Sequence, residues 1–246
     1  MPDEPSADRG LPVASGEGRQ GEGMTISTMR AVLLSTLTVV LAAAGPFAQG
    51  QKTAADVARA LQARYQGIRD FSADFVQNYR GGVLKTQTTE RGSVVVKKPG
   101  KMRWEYTSPE RKQLVSDGQK IYWYIPADKQ VVVSEMPAAN QATTPVLFLS
   151  GKGDIARDFT ASFVSGAGST ADVQLKLVPK QPEPEYEYLV LTLDPSLQIR
   201  TLTTRDRQGG ESSLVFSNMK ENRGVSDKEF VFRIPRGVDV VSDGAR

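Results

Sequence analysis

Between Lys101 and Tyr106 the chain alternates without a break, with Met102, Trp104 and Tyr106 on one side of an extended backbone and Lys101, Arg103 and Glu105 on the other. A period of two marks a strand with one face buried and the other wet. It recurs at 71–79, 92–97, 112–115, 120–125, 130–134, 159–164, 173–178, 187–193, 198–204, 212–216 and 229–232. The joints are turn-forming, as in Ser116-Asp117-Gly118, Pro126-Ala127-Asp128, Asp194-Pro195-Ser196 and Asp206-Arg207-Gln208-Gly209-Gly210. Short joints between successive strands predict an antiparallel meander. Residues 179–185 read as an exposed loop, because the same alternation resumes on both sides. A sheet of about eleven such strands must curl, since neighbours twist by roughly 20 to 25° and open sheets rarely exceed about ten strands. The chain is therefore expected to be mostly β within an α+β class, a barrel or half-barrel.

Two segments break this period. Residues 53–67 place Val57, Leu61, Tyr65 and Ile68 at helical spacing, with Thr53 and Asp56 as a capping pair and Gly67 as the stop. Thr144-Pro145-Val146-Leu147-Phe148-Leu149-Ser150-Gly151 has a capping hydroxyl, a proline suited to the first helical position and a terminating glycine, and 153–157 could add a turn. Four consecutive apolar residues, Val146 to Leu149, leave almost no side of that short helix fit for water.

Residues 24–50 have a positive charge at Arg30, an apolar run from Ala31 to Gly45 and small residues at Ala48 and Gly50, the pattern of a cleaved secretory signal peptide. The run is shorter than the roughly 20 residues that a helix needs to span a bilayer. Residues 1–23 are rich in Gly, Glu and Pro with no apolar period, so they read as an unstructured or over-extended start, with Met24 or Met29 as the expected initiator. Residues 51–246 then form one exported domain in the periplasm. The chain contains no His and no Cys. That removes His-assisted and Cys nucleophiles, imidazole and thiolate metal ligands, disulfides and a lipid-anchored cysteine. No cofactor, no metal and no nucleic-acid partner is expected, and the domain is expected to be a monomer.

Pattern alone leaves open whether the apolar face is a filled core or a pocket. The stretch Lys97-Lys98-Pro99-Gly100-Lys101-Met102-Arg103-Trp104-Glu105-Tyr106, followed by Ser108-Pro109 and Leu114-Val115-Ser116-Asp117-Gly118, resembles the corresponding region of the LolA family of outer-membrane lipoprotein carriers. The similarity continues through Trp123-Tyr124, Gln130-Val131, Thr144-Pro145, Leu177-Val178-Pro179-Lys180, Phe230-Val231-Phe232 and Pro235-Arg236-Gly237-Val238. It implies an incomplete antiparallel barrel with an N-terminal helix and a short helical lid. The function implied is a non-enzymatic carrier, which takes triacylated lipoproteins from an inner-membrane ABC transporter and passes them to an outer-membrane acceptor.

On the matched positions, Met102, Trp104 and Tyr106 would bind acyl chains from one strand and Val146, Leu147, Phe148 and Leu149 from the lid. Alternation adds Phe71, Phe75, Ile121 and Trp123. The family's arginine before proline, which holds the lid by bonding its backbone, is Lys98 here; an ammonium lacks the planar fork, so Arg103 could share the gating. Two alternatives remain. One is an envelope sensor of the same fold, detecting lipids or lipoproteins. The other is a carboxylate enzyme drawing on two of Glu105, Asp117 and Asp128.

Overall fold

The computed structural model describes residues 52–82, 85–137, 149–151, 153–164 and 172–242. The expected leader, the segment before it and the expected lid residues Val146, Leu147 and Phe148 lie outside the described residues. Helix α1 (Ala54–Gln66) starts where its cap dictates: the Thr53 hydroxyl accepts from the Asp56 amide at 3.2 Å, and the Asp56 carboxylate accepts from the Thr53 amide at 3.0 Å. Its stripe of Val57, Ala58, Leu61 and Tyr65 is buried, which is where a short amphipathic helix gets its stability.

The strands are β1 (Asp70–Arg80), β2 (Gln87–Lys97), β3 (Lys101–Ser108), β4 (Lys112–Asp117), β5 (Lys120–Ile125) and β6 (Gln130–Glu135). After the single-turn helix α2 (Ile155–Asp158) come β7 (Phe159–Phe163), β8 (Val173–Pro179), β9 (Tyr188–Leu193), β10 (Ile199–Arg205), β11 (Glu211–Glu221) and β12 (Asp239–Ser242). They make one open sheet in the order β12-β6-β5-β4-β3-β2-β1-β11-β10-β9-β8-β7. Two antiparallel meanders are joined where β1 pairs with β11.

The two faces differ. One carries α1 and a continuous apolar cluster that includes Leu61, Tyr65, Phe71, Phe75, Trp104 and Leu191; we call it the inner face. On the outer face the C-terminal segment crosses the sheet. Arg103 donates to the carbonyls of Glu229 (2.6 Å) and Val231 (3.2 Å), and Lys97 to that of Val225 (2.8 Å). The Phe232 ring stacks on Tyr122 at 5.3 Å.

One expectation needs correction here. Residues 229–232 are not a strand: Asp227–Phe230 forms a 3-10 turn capped by Ser226, with Phe230 driven into the sheet at 1% exposure. Carbonyls that a neighbouring strand would have used go to Arg103 instead. The actual last strand, β12, pairs in parallel with β6. All four of its residues are exposed, so it carries no alternation to find.

Candidate functional site

Strand register places the inner-face side chains in tiers. Met102 lies between Val96 and Ser116, and Ser116 pairs with Ile121; Trp104 lies between Val94 and Leu114, and Leu114 pairs with Trp123; Tyr106 lies between Gly92 and Lys112. Phe75 pairs with Gly92, which has no side chain, and its ring occupies that space, 5.1 Å from Trp104 and 5.0 Å from Tyr106. A Cβ on Gly92 would lie 2.0 Å from the Glu105 carbonyl oxygen and 2.9 Å from the Phe75 ring. Tyr106 meets Trp123 edge-on at 5.8 Å, and Trp104 lies 6.4 Å from Phe216.

Burial is uneven along this face. Leu175, Leu177, Leu189, Leu191, Leu193 and Leu202 are fully covered, as are Phe71, Phe75, Met102 and Trp104. Tyr106, Leu114, Ile121, Trp123 and Val132 are only half-buried. The β4–β6 end of the inner face is thus a partly open apolar surface continuous with the core. Trp104 is 2% exposed, and its indole N–H has no acceptor among the described residues, an arrangement that costs about 1–3 kcal/mol when a donor is left unmet.

A polar edge borders the aromatic group. Lys112 bonds the Glu90 carboxylate and lies 4.9 Å from the Tyr106 ring and 5.7 Å from that of Trp123. The Tyr106 hydroxyl donates to Gln77 at 3.1 Å, and the Gln77 amide to Ser212 at 3.1 Å. Burial, with the charge of Glu90 added, pushes the Tyr106 phenol up to about 12, so it stays a donor at neutral pH.

The structure separates the two residues expected to gate a lid. Lys98 donates to the Tyr65 carbonyl at the C-terminal end of α1 and lies 4.6 Å from the Tyr65 ring. A cation there also suits the negative end of the helix dipole. Its stem runs past Gly151, whose φ of +81° favours glycine and where a Cβ would lie 2.7 Å from the Lys98 Cδ. Next to it, the Gly100 amide bonds the Ser150 carbonyl at 2.9 Å, and Leu149 is 1% exposed. A cavity of about 200 Å³ lined by Gln62, Tyr65, Gln66, Lys98, Gly151 and Gly153 leaves room beside this corner. Burial lowers the Lys98 ammonium to about 8, partly offset by Glu221. Arg103 is on the opposite face, committed to the C-terminal segment.

Of the named acyl-binding candidates, Phe71, Phe75, Met102, Trp104, Tyr106, Ile121 and Trp123 share the inner face and Leu149 is buried in the same cluster. Leu114, Val94 and Phe216 belong with them and were open to the same alternation argument. Glu90 and Lys112 were not, because their meeting depends on pairing between strands. Glu105 pairs with Arg103 at 3.3 Å on the outer face, and Asp117 accepts two backbone amides at 2.8 Å in its own turn.

Residues 66–233 match the family described as "Outer membrane lipoprotein carrier protein LolA". The chain is 33% identical over 189 residues to the outer-membrane lipoprotein carrier protein of Chromohalobacter salexigens, covering 76% of this chain and 87% of that one. It is 30% identical over 211 residues to that of Chromobacterium violaceum, covering 85% and 98%. Among solved structures, a LolA superfamily protein from Nitrosomonas europaea aligns over 74% of this chain and 99% of its own, at 13% identity and a TM-score of 0.40. With the match running from the end of α1 through the C-terminal crossing of the outer face, the chain belongs to the LolA family of outer-membrane lipoprotein carrier proteins.

Proposed function

We propose that this protein is a periplasmic carrier that shields the acyl chains of lipoproteins on its inner face and ferries them to the outer membrane. The observation that supports it most is the half-buried aromatic and aliphatic surface of Tyr106, Leu114, Ile121 and Trp123, which runs without a break into the fully buried Met102 and Trp104. Covering it stabilises a bound chain by about 0.8 kcal/mol per methylene.

Met102 and Trp104 lie under the cover, so acyl chains meet the half-open end first. They reach the deeper tier, Phe71 and Phe75 included, as the covering elements move aside. Leu149 forms the lid side of the site, and the family resemblance assigns acyl binding to Val146, Leu147 and Phe148, ahead of it in the chain, as well. Lys98 gates it: its ammonium ties the end of α1 to the β2–β3 turn where that turn meets Ser150 and Gly151. A gap of about 5.5 kcal/mol between closed and open forms would leave roughly one molecule in ten thousand open, so transfer needs a weaker latch. One lysine in place of the family's arginine fork suits that need.

Residues 24–50 act as the export leader. An inner-membrane ABC transporter supplies the cargo, and an outer-membrane acceptor receives it. The test is release from spheroplasts: the added mature domain should draw lipoproteins into the soluble fraction. Release no greater than with an unrelated protein rejects the carrier role.

A further inference from the structure

The polar edge beside the aromatic tier is an unusual thing to build into an apolar face. Lys112 and Glu90 have side-chain exposures of only 19% and 20%, and neither is needed to satisfy the sheet, whose backbone is already paired at both residues. An ammonium has three donors, and Glu90 engages one side of it. The ammonium lies over the faces of Tyr106 and Trp123, 4.9 and 5.7 Å from the ring centres, which shelter it from water. One tier deeper, the Trp104 indole N–H has no acceptor among the described residues. The described face therefore offers an apolar floor with sheltered donors on it, where a ligand would bring acceptors.

The charge state narrows the ligand. Glu90 already neutralises Lys112 and would repel a phosphate placed beside it, so the matching acceptors are neutral ones. Acylated glyceryl groups carry such acceptors in their ester carbonyls, within a few bonds of the chains. We propose, building on the carrier function above, that Lys112 is a headgroup-recognition residue: held by Glu90, it donates to the glyceryl ester carbonyls of a ligand whose chains lie on Trp104, Leu114 and Trp123.

The test compares a synthetic triacylated lipopeptide with its dialkyl ether analogue, which keeps the chains and lacks the two ester carbonyls. The wild-type domain should bind the ester form about tenfold more tightly, the worth of roughly one charge-assisted hydrogen bond. K112M should lose that preference and bind both forms at the ether level, and K112R should restore it. The double variant E90Q/K112M, which strands no carboxylate, should also lose the preference and covers the case in which K112M alone fails to fold. An ester preference that survives in folded K112M or E90Q/K112M overturns the assignment, as does a wild type that binds both forms equally; either result leaves the carrier function standing. A loss confined to micelles of phosphatidylglycerol overturns it in favour of phosphate binding. Failure of the wild type to bind either lipopeptide removes the carrier function itself.

Discussion

Lys98 holds its charge in a place that penalises charge, and the penalty has a readable sign. Its pKa in the fold is about 8, against about 10.4 for an unfolded lysine. The unfolded chain thus binds more protons between those values, and stability from this residue rises with pH across the window. Tyr65 acts oppositely: burial raises its phenol above the usual range, so its contribution falls above about pH 10. The difference between wild type and Lys98→Met isolates the lysine. In urea unfolding at pH 7 and pH 9.5, the wild type should gain stability relative to the variant; parallel curves contradict the burial of the ammonium. In lipoprotein release, the same variant should alter the rate of uptake or release while its circular dichroism stays native, and unchanged transfer counts against gating. Gly92→Ala belongs to this scale too. With the added carbon 2.0 Å from the Glu105 carbonyl oxygen, one of the strands must shift, at a cost of about 1–3 kcal/mol. A stability loss under about 0.5 kcal/mol, the range of an innocuous surface change, would mean that the Phe75 ring does not depend on that gap.

Elements differ in how plainly the sequence announces them. Helix α1 is announced twice, by the Thr53–Asp56 cap and by the spacing of Val57, Leu61 and Tyr65, and β5 is bounded by turns on both sides, so its ends fall at Lys120 and Ile125 as the alternation predicts. The reach of β2 back to Gln87 is not announced, because Gln87 to Arg91 is polar on both faces and its order comes from pairing with β1 and not from burial. The C-terminal segment misleads for a related reason: Phe230 and Phe232 alternate like a strand, yet each is aimed by a separate partner, the sheet and the Tyr122 ring. Arg103 decides this geometry by holding two carbonyls. Its replacement by Ala should cost about 1–3 kcal/mol, the worth of charge-assisted bonds lost, and should speed proteolysis within 223–242. Binding of lipopeptide to the inner face should be untouched. Loss of binding in a folded Arg103→Ala protein would place this residue with the gating group after all.

At the scale of the whole molecule, the open sheet follows from what its two edges are. Strand β12 lies outside β6 at one edge and β7 at the other, where Phe163 is 44% exposed, and among the described residues these two edges do not pair. Alternation could predict a curled sheet with one greasy face. It could not show that the face is sealed along β8–β10 and half-open along β4–β6, because that difference depends on which elements cover it. In the carrier function proposed above, the uneven cover is what would hold the acyl chains and let them go. The most direct test is to purify the mature domain from an envelope fraction and identify what is bound by native mass spectrometry. Part of the population should carry acylated protein, and the bound fraction should fall when Trp104 and Trp123 are replaced by polar residues in variants that still fold. A protein that is clean of acylated cargo, and that also extracts none from inner membranes, contradicts the carrier function.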